Sequence, residues 1–89
     1  MDYSKEVLSA AHHHSSHHKS EILDSELCGC FYCLETYSPS QITDWTDRGT
    51  VKGPTAICPA CGIDAVIGSS SGYPVGDPDF LLAMRDCWF

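Results

Sequence analysis

Positive charge is scarce in this chain. Five Lys and Arg stand against twelve Asp and Glu over 89 residues, a formal net charge of −7 with histidine neutral. The five cations, Lys5, Lys19, Arg48, Lys52 and Arg85, are scattered singly along the sequence. A clustered Lys/Arg footprint, the usual means of displacing counterions from a phosphate backbone, is therefore missing, which argues against nucleic acid as partner. Long apolar runs are absent too: none approaches the roughly 20 residues that span a bilayer. Met1-Asp2-Tyr3-Ser4 has no basic region leading into an apolar stretch, so neither anchor nor signal peptide is expected and the expected compartment is the cytoplasm. No lysine sits in the Gly/Ser-rich loop at 68–72, and no glutamate follows a histidine in the His-Glu-x-x-His pattern. The absences count against a phosphate loop and a metalloprotease helix.

Cysteine, by contrast, is present in a telling arrangement. Cys30-Phe31-Tyr32-Cys33 and Cys58-Pro59-Ala60-Cys61 are two Cys-x-x-Cys pairs separated by 24 residues. A two-residue gap lets a tight backbone knuckle aim both sulfurs of a pair at one point, and two knuckles complete the tetrahedron that Zn²⁺ prefers. Cys30, Cys33, Cys58 and Cys61 are the expected ligands of one structural Zn²⁺. Four thiolates close the shell, leaving no position for water or substrate, so the motif argues for a fold staple rather than zinc chemistry. Cys28 could lend its sulfur in place of Cys30, although a four-residue gap to Cys33 makes a poorer knuckle; Cys87 reads as a small buried hydrophobe. Disulfides or a redox-active pair remain the alternative, disfavoured where no secretion signal is seen.

At 43% hydrophobic, the chain is expected to form one domain, 1–89, too small for a large core. A structural zinc contributes about 10–16 kcal/mol of apparent binding energy, against about 1.5–3 kcal/mol for burying one apolar side chain. The metal is expected to decide whether the chain folds. The first 25 residues read as a helix, with Tyr3, Val7, Ala11, His14, His18 and Ile22 at three- and four-residue steps and Asp2 or Ser4 as cap. A short strand over 34–37 should follow the first knuckle. Ser38-Pro39-Ser40-Gln41 carries the signature of a helix start, for a helix over 39–45 with Ile42 and Trp45 facing the core. Strands at 55–57 and 63–67 should pair as a hairpin across the metal, so that 28–68 holds both knuckles. Asp77-Pro78 reads as cap and first position of a helix over 78–88, within a C-terminal segment 77–89, with Phe80, Leu81, Met84 and Trp88 on one stripe. The expected class is α+β, a small zinc-ribbon-like domain flanked by two helices.

Three features lie outside the cysteines. His12-His13-His14-Ser15-Ser16-His17-His18 places His14 and His18, and likewise His13 and His17, four apart on one helix face, a spacing that can hold a second metal; a solvated polar face with one or two packing histidines is the plainer reading. Gly68-Ser69-Ser70-Ser71-Gly72-Tyr73 could form a backbone nest for an anion, Ser70 donating and Tyr73 stacking on a ring, or be a flexible connector. Trp88-Phe89, with Phe31, Tyr32, Tyr37, Trp45 and Phe80, is a large aromatic supply that must be buried or displayed as an interaction patch, a homodimer on the terminal helix included.

At Cys-Gly-Cys-Phe-Tyr-Cys (28–33), Thr-Ala-Ile-Cys-Pro-Ala-Cys-Gly-Ile-Asp-Ala-Val-Ile-Gly (55–68), Ser-Gly-Tyr-Pro (71–74) and the terminal Trp-Phe, the chain resembles a family of small uncharacterised bacterial and phage proteins described only as cytoplasmic proteins. Ala65 departs from that pattern, where Ser is more usual. The resemblance implies zinc and a cytoplasmic location and carries no catalytic residues. The expectation from all of this is a non-enzymatic zinc module, a small regulator or inhibitor that binds another protein or a second copy, its acidic surface complementing a basic patch. Alternatives are a sequestering protein for a nucleotide-like ligand, a nucleic-acid-binding ribbon, or a metal-dependent hydrolase on the histidine segment.

Overall fold

Ser4 accepts the Val7 N–H on its hydroxyl at 3.2 Å and opens the first helix, α1 (Lys5–His12), in a computed structural model that describes residues 3–89. The alternative cap, Asp2, lies outside the described residues. The helix then fails where the sequence pattern carries it on. A 3-10 turn (His13–Ser15) follows, Ser15 donates its hydroxyl back to the His12 carbonyl at 2.6 Å, Ser16 is extended, and His17 takes φ +50°. Serine and histidine are poor helix formers, and serine offers the backbone rival hydrogen bonds. The chain restarts as α2 (Lys19–Leu23). The continuous helix over 1–25 is thus two short helices with a corner between them, and the corner buries His18.

Strand pairing also departs from expectation. β1 (Cys28–Cys30) is the centre of an antiparallel sheet, with β2 (Thr36–Tyr37) on one side and β5 (Val66–Gly68) on the other. β3 (Trp45–Thr46) and β4 (Thr55–Ala56) form a separate hairpin. The segment after the second knuckle therefore pairs with the strand before the first, Gly29 opposite Ile67, and does not pair with 55–57. Burial explains the choice: Val66 and Ile67 are fully buried, and the three-stranded sheet under α2 covers them where a peripheral hairpin would leave one face wet. The helix expected over 39–45 shrinks to one 3-10 turn (Pro39–Gln41) without a side-chain cap, because Ser38 bonds to Ser40 instead. Ile42 is buried as expected; Trp45 is half-buried beneath the Lys19 ammonium, 5.3 Å from its ring centroid.

α3 (Pro78–Trp88) forms on the bounds its signals set. The Asp77 carboxylate accepts the Asp79 N–H at 3.0 Å, and Pro78 fills the first position. Phe80, Leu81 and Met84 go into the core. α1 packs against α3, and Tyr3, just ahead of α1, adds to the contact: its ring meets Phe80 edge to face at 5.3 Å and its hydroxyl donates to Asp77 at 2.7 Å. No helix among the described residues is long and apolar enough to cross a membrane.

Candidate metal centre

The two knuckles share one hydrogen-bond frame. In the first, the Cys30 N–H donates to the Glu35 carbonyl (3.0 Å), the Leu34 N–H to the Cys30 carbonyl (2.8 Å) and the Tyr32 N–H to the Cys30 sulfur (3.4 Å). In the second, Cys58 bonds to Ile63 (3.0 Å), Gly62 to Cys58 (2.9 Å) and the Ala60 N–H to the Cys58 sulfur (3.4 Å). Both turns need a left-handed residue directly after the second cysteine, and Leu34 (φ +68°) and Gly62 (φ +79°) supply it. Glycine takes that conformation without steric cost.

The first knuckle joins β1 to β2, the second joins the hairpin to β5, and because β1 and β5 are neighbours the two turns face each other. Cys30, Cys33, Cys58 and Cys61 bring their sulfurs within 4.8 Å of one another, the one such group of three or more possible ligands among the described residues. Sγ–Sγ separations of 3.7 Å link Cys30 to Cys61 and Cys33 to Cys58, across the knuckles rather than within them. All six cysteines are free thiols. A tetrahedron with metal–sulfur bonds of about 2.3 Å has edges of about 3.8 Å, so the donor set fits a single ion. Cys28 is outside the group, fully buried opposite Tyr37 and Gly68 in the sheet, and burial pushes its thiol up to about 11.

Electrostatics give the cluster a reason to hold a cation. Burial drives the Cys30 thiol far above its ordinary pKa and raises Cys61 as well. Burial also raises Cys58, but the Tyr37 hydroxyl and the backbone N–H groups of Cys61 and Ala60 outweigh it and bring that thiol down to about 7. Four thiolates this close together would repel one another without a cation, two of them fully buried; a bound metal ion reverses that balance and keeps coordinating thiols deprotonated.

The histidines do not assemble a second centre. His14 turns its Nδ1 to the Glu21 carboxylate (2.8 Å). His18 donates from Nδ1 to the His14 carbonyl (2.5 Å) and accepts the Ala56 N–H on Nε2 (3.1 Å), which uses both ring nitrogens. His17 holds the Gly53 carbonyl at 2.8 Å, and His12 stacks on Trp88 with centroids 4.2 Å apart. The break at residues 13–18 removes the shared face that the four-residue spacing required.

The serine loop is pinned rather than flexible. Ser69 accepts the Glu26 and Leu27 N–H groups on its hydroxyl, the Ser70 N–H donates to Ser25, and the Ser70 hydroxyl donates to Asp24 at 2.8 Å. The Ser69, Gly72 and Tyr73 amides are likewise engaged, so no open nest is presented. Tyr73 stacks on Phe80, centroids 6.0 Å apart. Close approach demands Gly68: a Cβ there would lie 2.2 Å from the Ser25 hydroxyl oxygen.

Two residues that sequence reasoning passed over belong to the centre. Leu34 carries the left-handed turn, and Tyr37, counted in the sequence only as one aromatic among several, is buried beside Cys58. Neither has a local signal, since leucine rarely marks a positive φ and Tyr37 lies on the far strand of the sheet. No family model, no curated protein and no solved structure matches the chain. The resemblance noted above therefore rests on its motifs alone.

Proposed function

We propose that the chain is a non-enzymatic binding module in which Cys30, Cys33, Cys58 and Cys61 hold one structural Zn²⁺. The pair of 3.7 Å sulfur separations, close to a tetrahedral edge, carries this reading. Four thiolates saturate the ion and leave no open position for a nucleophilic water. Sulfur-only tetrahedral sites suit zinc or iron, and colour together with metal analysis tells the two apart. The work of the module is contact with another protein or with a second copy of itself, as a small cytoplasmic regulator or inhibitor. Tyr32, Trp88 and Phe89 support that part: all three rings are exposed on the side of the first knuckle, with Phe89 against Tyr32 (4.9 Å) and Phe31 (5.7 Å). Aromatic rings left partly in water are the commonest anchors of protein interfaces.

The test is metal analysis on protein purified without added metal. One zinc per chain is expected, lost together with cooperative unfolding in Cys30→Ser and Cys61→Ser. A folded, metal-free Cys61→Ser protein would overturn the structural role. Sedimentation equilibrium on the wild type and on Trp88→Ala with Phe89→Ala then separates self-association from binding of a different protein.

A further inference from the structure

Among the described residues, one buried side-chain polar atom lacks a hydrogen-bond partner, the hydroxyl of Tyr37. The residue is 7% exposed and sits on β2 opposite Cys28, where its ring borders a recess of about 250 Å³ shared with Pro59 and Ala60 of the second knuckle. The group that its hydroxyl approaches is the Cys58 sulfur. A thiol is a feeble acceptor, so the contact is poorly formed in a cluster of neutral sulfurs; a metal-bound thiolate is a charged one, and charge-assisted hydrogen bonds are shorter and stronger. Buried hydroxyls are rarely left unpaired, and an unpaired one aimed at a ligand atom is a donor waiting for its acceptor to ionise.

We propose that Tyr37 is a positioning residue of the metal centre: its hydroxyl donates an O–H···S hydrogen bond to the Cys58 thiolate of the loaded protein, beside the Ala60 N–H. This rests on the cysteine cluster binding a metal. Cys58 then carries the Tyr37 hydroxyl in addition to the backbone N–H groups of Ala60 and Cys61, whereas the backbone donors of Cys30 are the N–H groups of Tyr32 and Cys33. This side-chain donor fixes the Cys58 rotamer and draws electron density from its sulfur, so the thiolate is harder to alkylate or to strip from the ion than it would be without the hydroxyl. Outer partners of this kind are worth about 10–100-fold in metal affinity.

The experiment compares wild type with Tyr37→Phe, which removes one oxygen and keeps the ring. Metal content of the wild type is measured first, and a wild type without metal refutes the metal centre itself rather than the role of Tyr37. In the zinc-loaded proteins, Tyr37→Phe is expected to release metal to a chelator roughly 10–100-fold faster. In the cobalt(II)-loaded proteins its sulfur-to-metal charge-transfer bands should move to lower energy, because a thiolate that loses a donor is easier to oxidise. A purely structural role would shift the melting temperature and leave those bands in place. Should the variant fold poorly, cadmium-113 NMR of the loaded wild type is decisive by itself. Coupling between the metal nucleus and the Tyr37 hydroxyl proton through the sulfur is expected. Unchanged bands with unchanged release, or a cadmium signal without that coupling, overturns the proposal.

Discussion

Replacing His18 by alanine separates two things that one buried imidazole does. The ring is 5% exposed, and its two hydrogen bonds, to the His14 carbonyl and from the Ala56 N–H, fix the neutral form with its proton on Nδ1. Each bond contributes about 0.5–1.5 kcal/mol net, and an unpaired buried N–H costs about 1–3 kcal/mol. Ala56 has no exposed surface, so its N–H would be stranded. These contributions overlap, and about 2–4 kcal/mol of lost stability near pH 8 follows. At about 3 kcal/mol, a domain of this size melts roughly 12–24 °C lower. The second effect is on pH. Burial holds the His18 pKa below its ordinary 6.5; the His14 carbonyl and the Glu21 carboxylate pull it up, while the His14 and His17 rings push it down. The unfolded chain therefore takes up the proton first. Wild type has the full His18 contribution above pH 6.5 and loses it as pH falls from there towards the lower folded value, below which nothing more is lost. The alanine variant has no such dependence. The stability gap between the two must narrow as pH falls below 6.5, and taking the difference cancels the other histidines and the acid release of metal from thiolates. Urea unfolding followed by tryptophan fluorescence in excess zinc, from about pH 8 to about pH 5.5, reads the gap directly. A constant gap, or a widening one, refutes the assignment of His18 as a buried neutral bridge.

Cys28→Ala should keep one metal per chain while lowering the unfolding midpoint, since the side chain is fully buried but outside the sulfur cluster; metal loss in this variant would make Cys28 a ligand. Gly68→Ala drives a methyl into the Ser25 hydroxyl at 2.2 Å and should cost about 1–3 kcal/mol in urea denaturation. Adding Ser25→Ala should not restore full stability, because the Ser25 hydroxyl also accepts the Ser70 N–H. Asp77→Ala removes both the cap of α3 and the acceptor of the Tyr3 hydroxyl. A lower urea midpoint is expected, and Tyr3→Phe in the same background should add little, which a double-mutant cycle measures.

What the sequence made legible is what is decided within a few residues. Ser4 and Asp77-Pro78 cap the helices they announce because capping is a bond between a side chain and the next turn. The knuckles are equally local, and the cluster needed only the fold to bring two of them together. Strand pairing is not legible for the opposite reason. Whether Val66 and Ile67 join β4 or β1 depends on which surface buries both their faces, and that surface is made by α2, more than 40 residues earlier in the chain. The histidine segment misled similarly: its three- and four-residue spacing is helical, yet Ser15 and Ser16 can leave the helix cheaply, and the reward for leaving, the Ala56 N–H on His18, is 38 residues away.

The unequal knuckles show how the cysteine cluster and the fold depend on each other. Gly62 adopts its left-handed turn at no steric cost, whereas Leu34 holds the same turn against a penalty of about 1–2 kcal/mol. Leu34 packs against the core, as Gly62 does not, so the first knuckle trades backbone strain for packing and is the more dependent on its surroundings. The second knuckle helps to fix those surroundings: it leads into β5 beside β1, the Phe31 N–H donates to the Ala65 carbonyl at 3.0 Å, and the sulfurs of the two turns meet. A metal bridging Cys30 to Cys61 and Cys33 to Cys58 would thus tie the loop after β1 to the loop before β5 and hold both ends of the central strand pair. The same bridge would set Phe31 and Tyr32, which lie between Cys30 and Cys33, against Phe89. Tyr32 and Phe89 are exposed and pack together on the ligand loop itself, so loss of a bound ion would disorder this aromatic surface along with the fold.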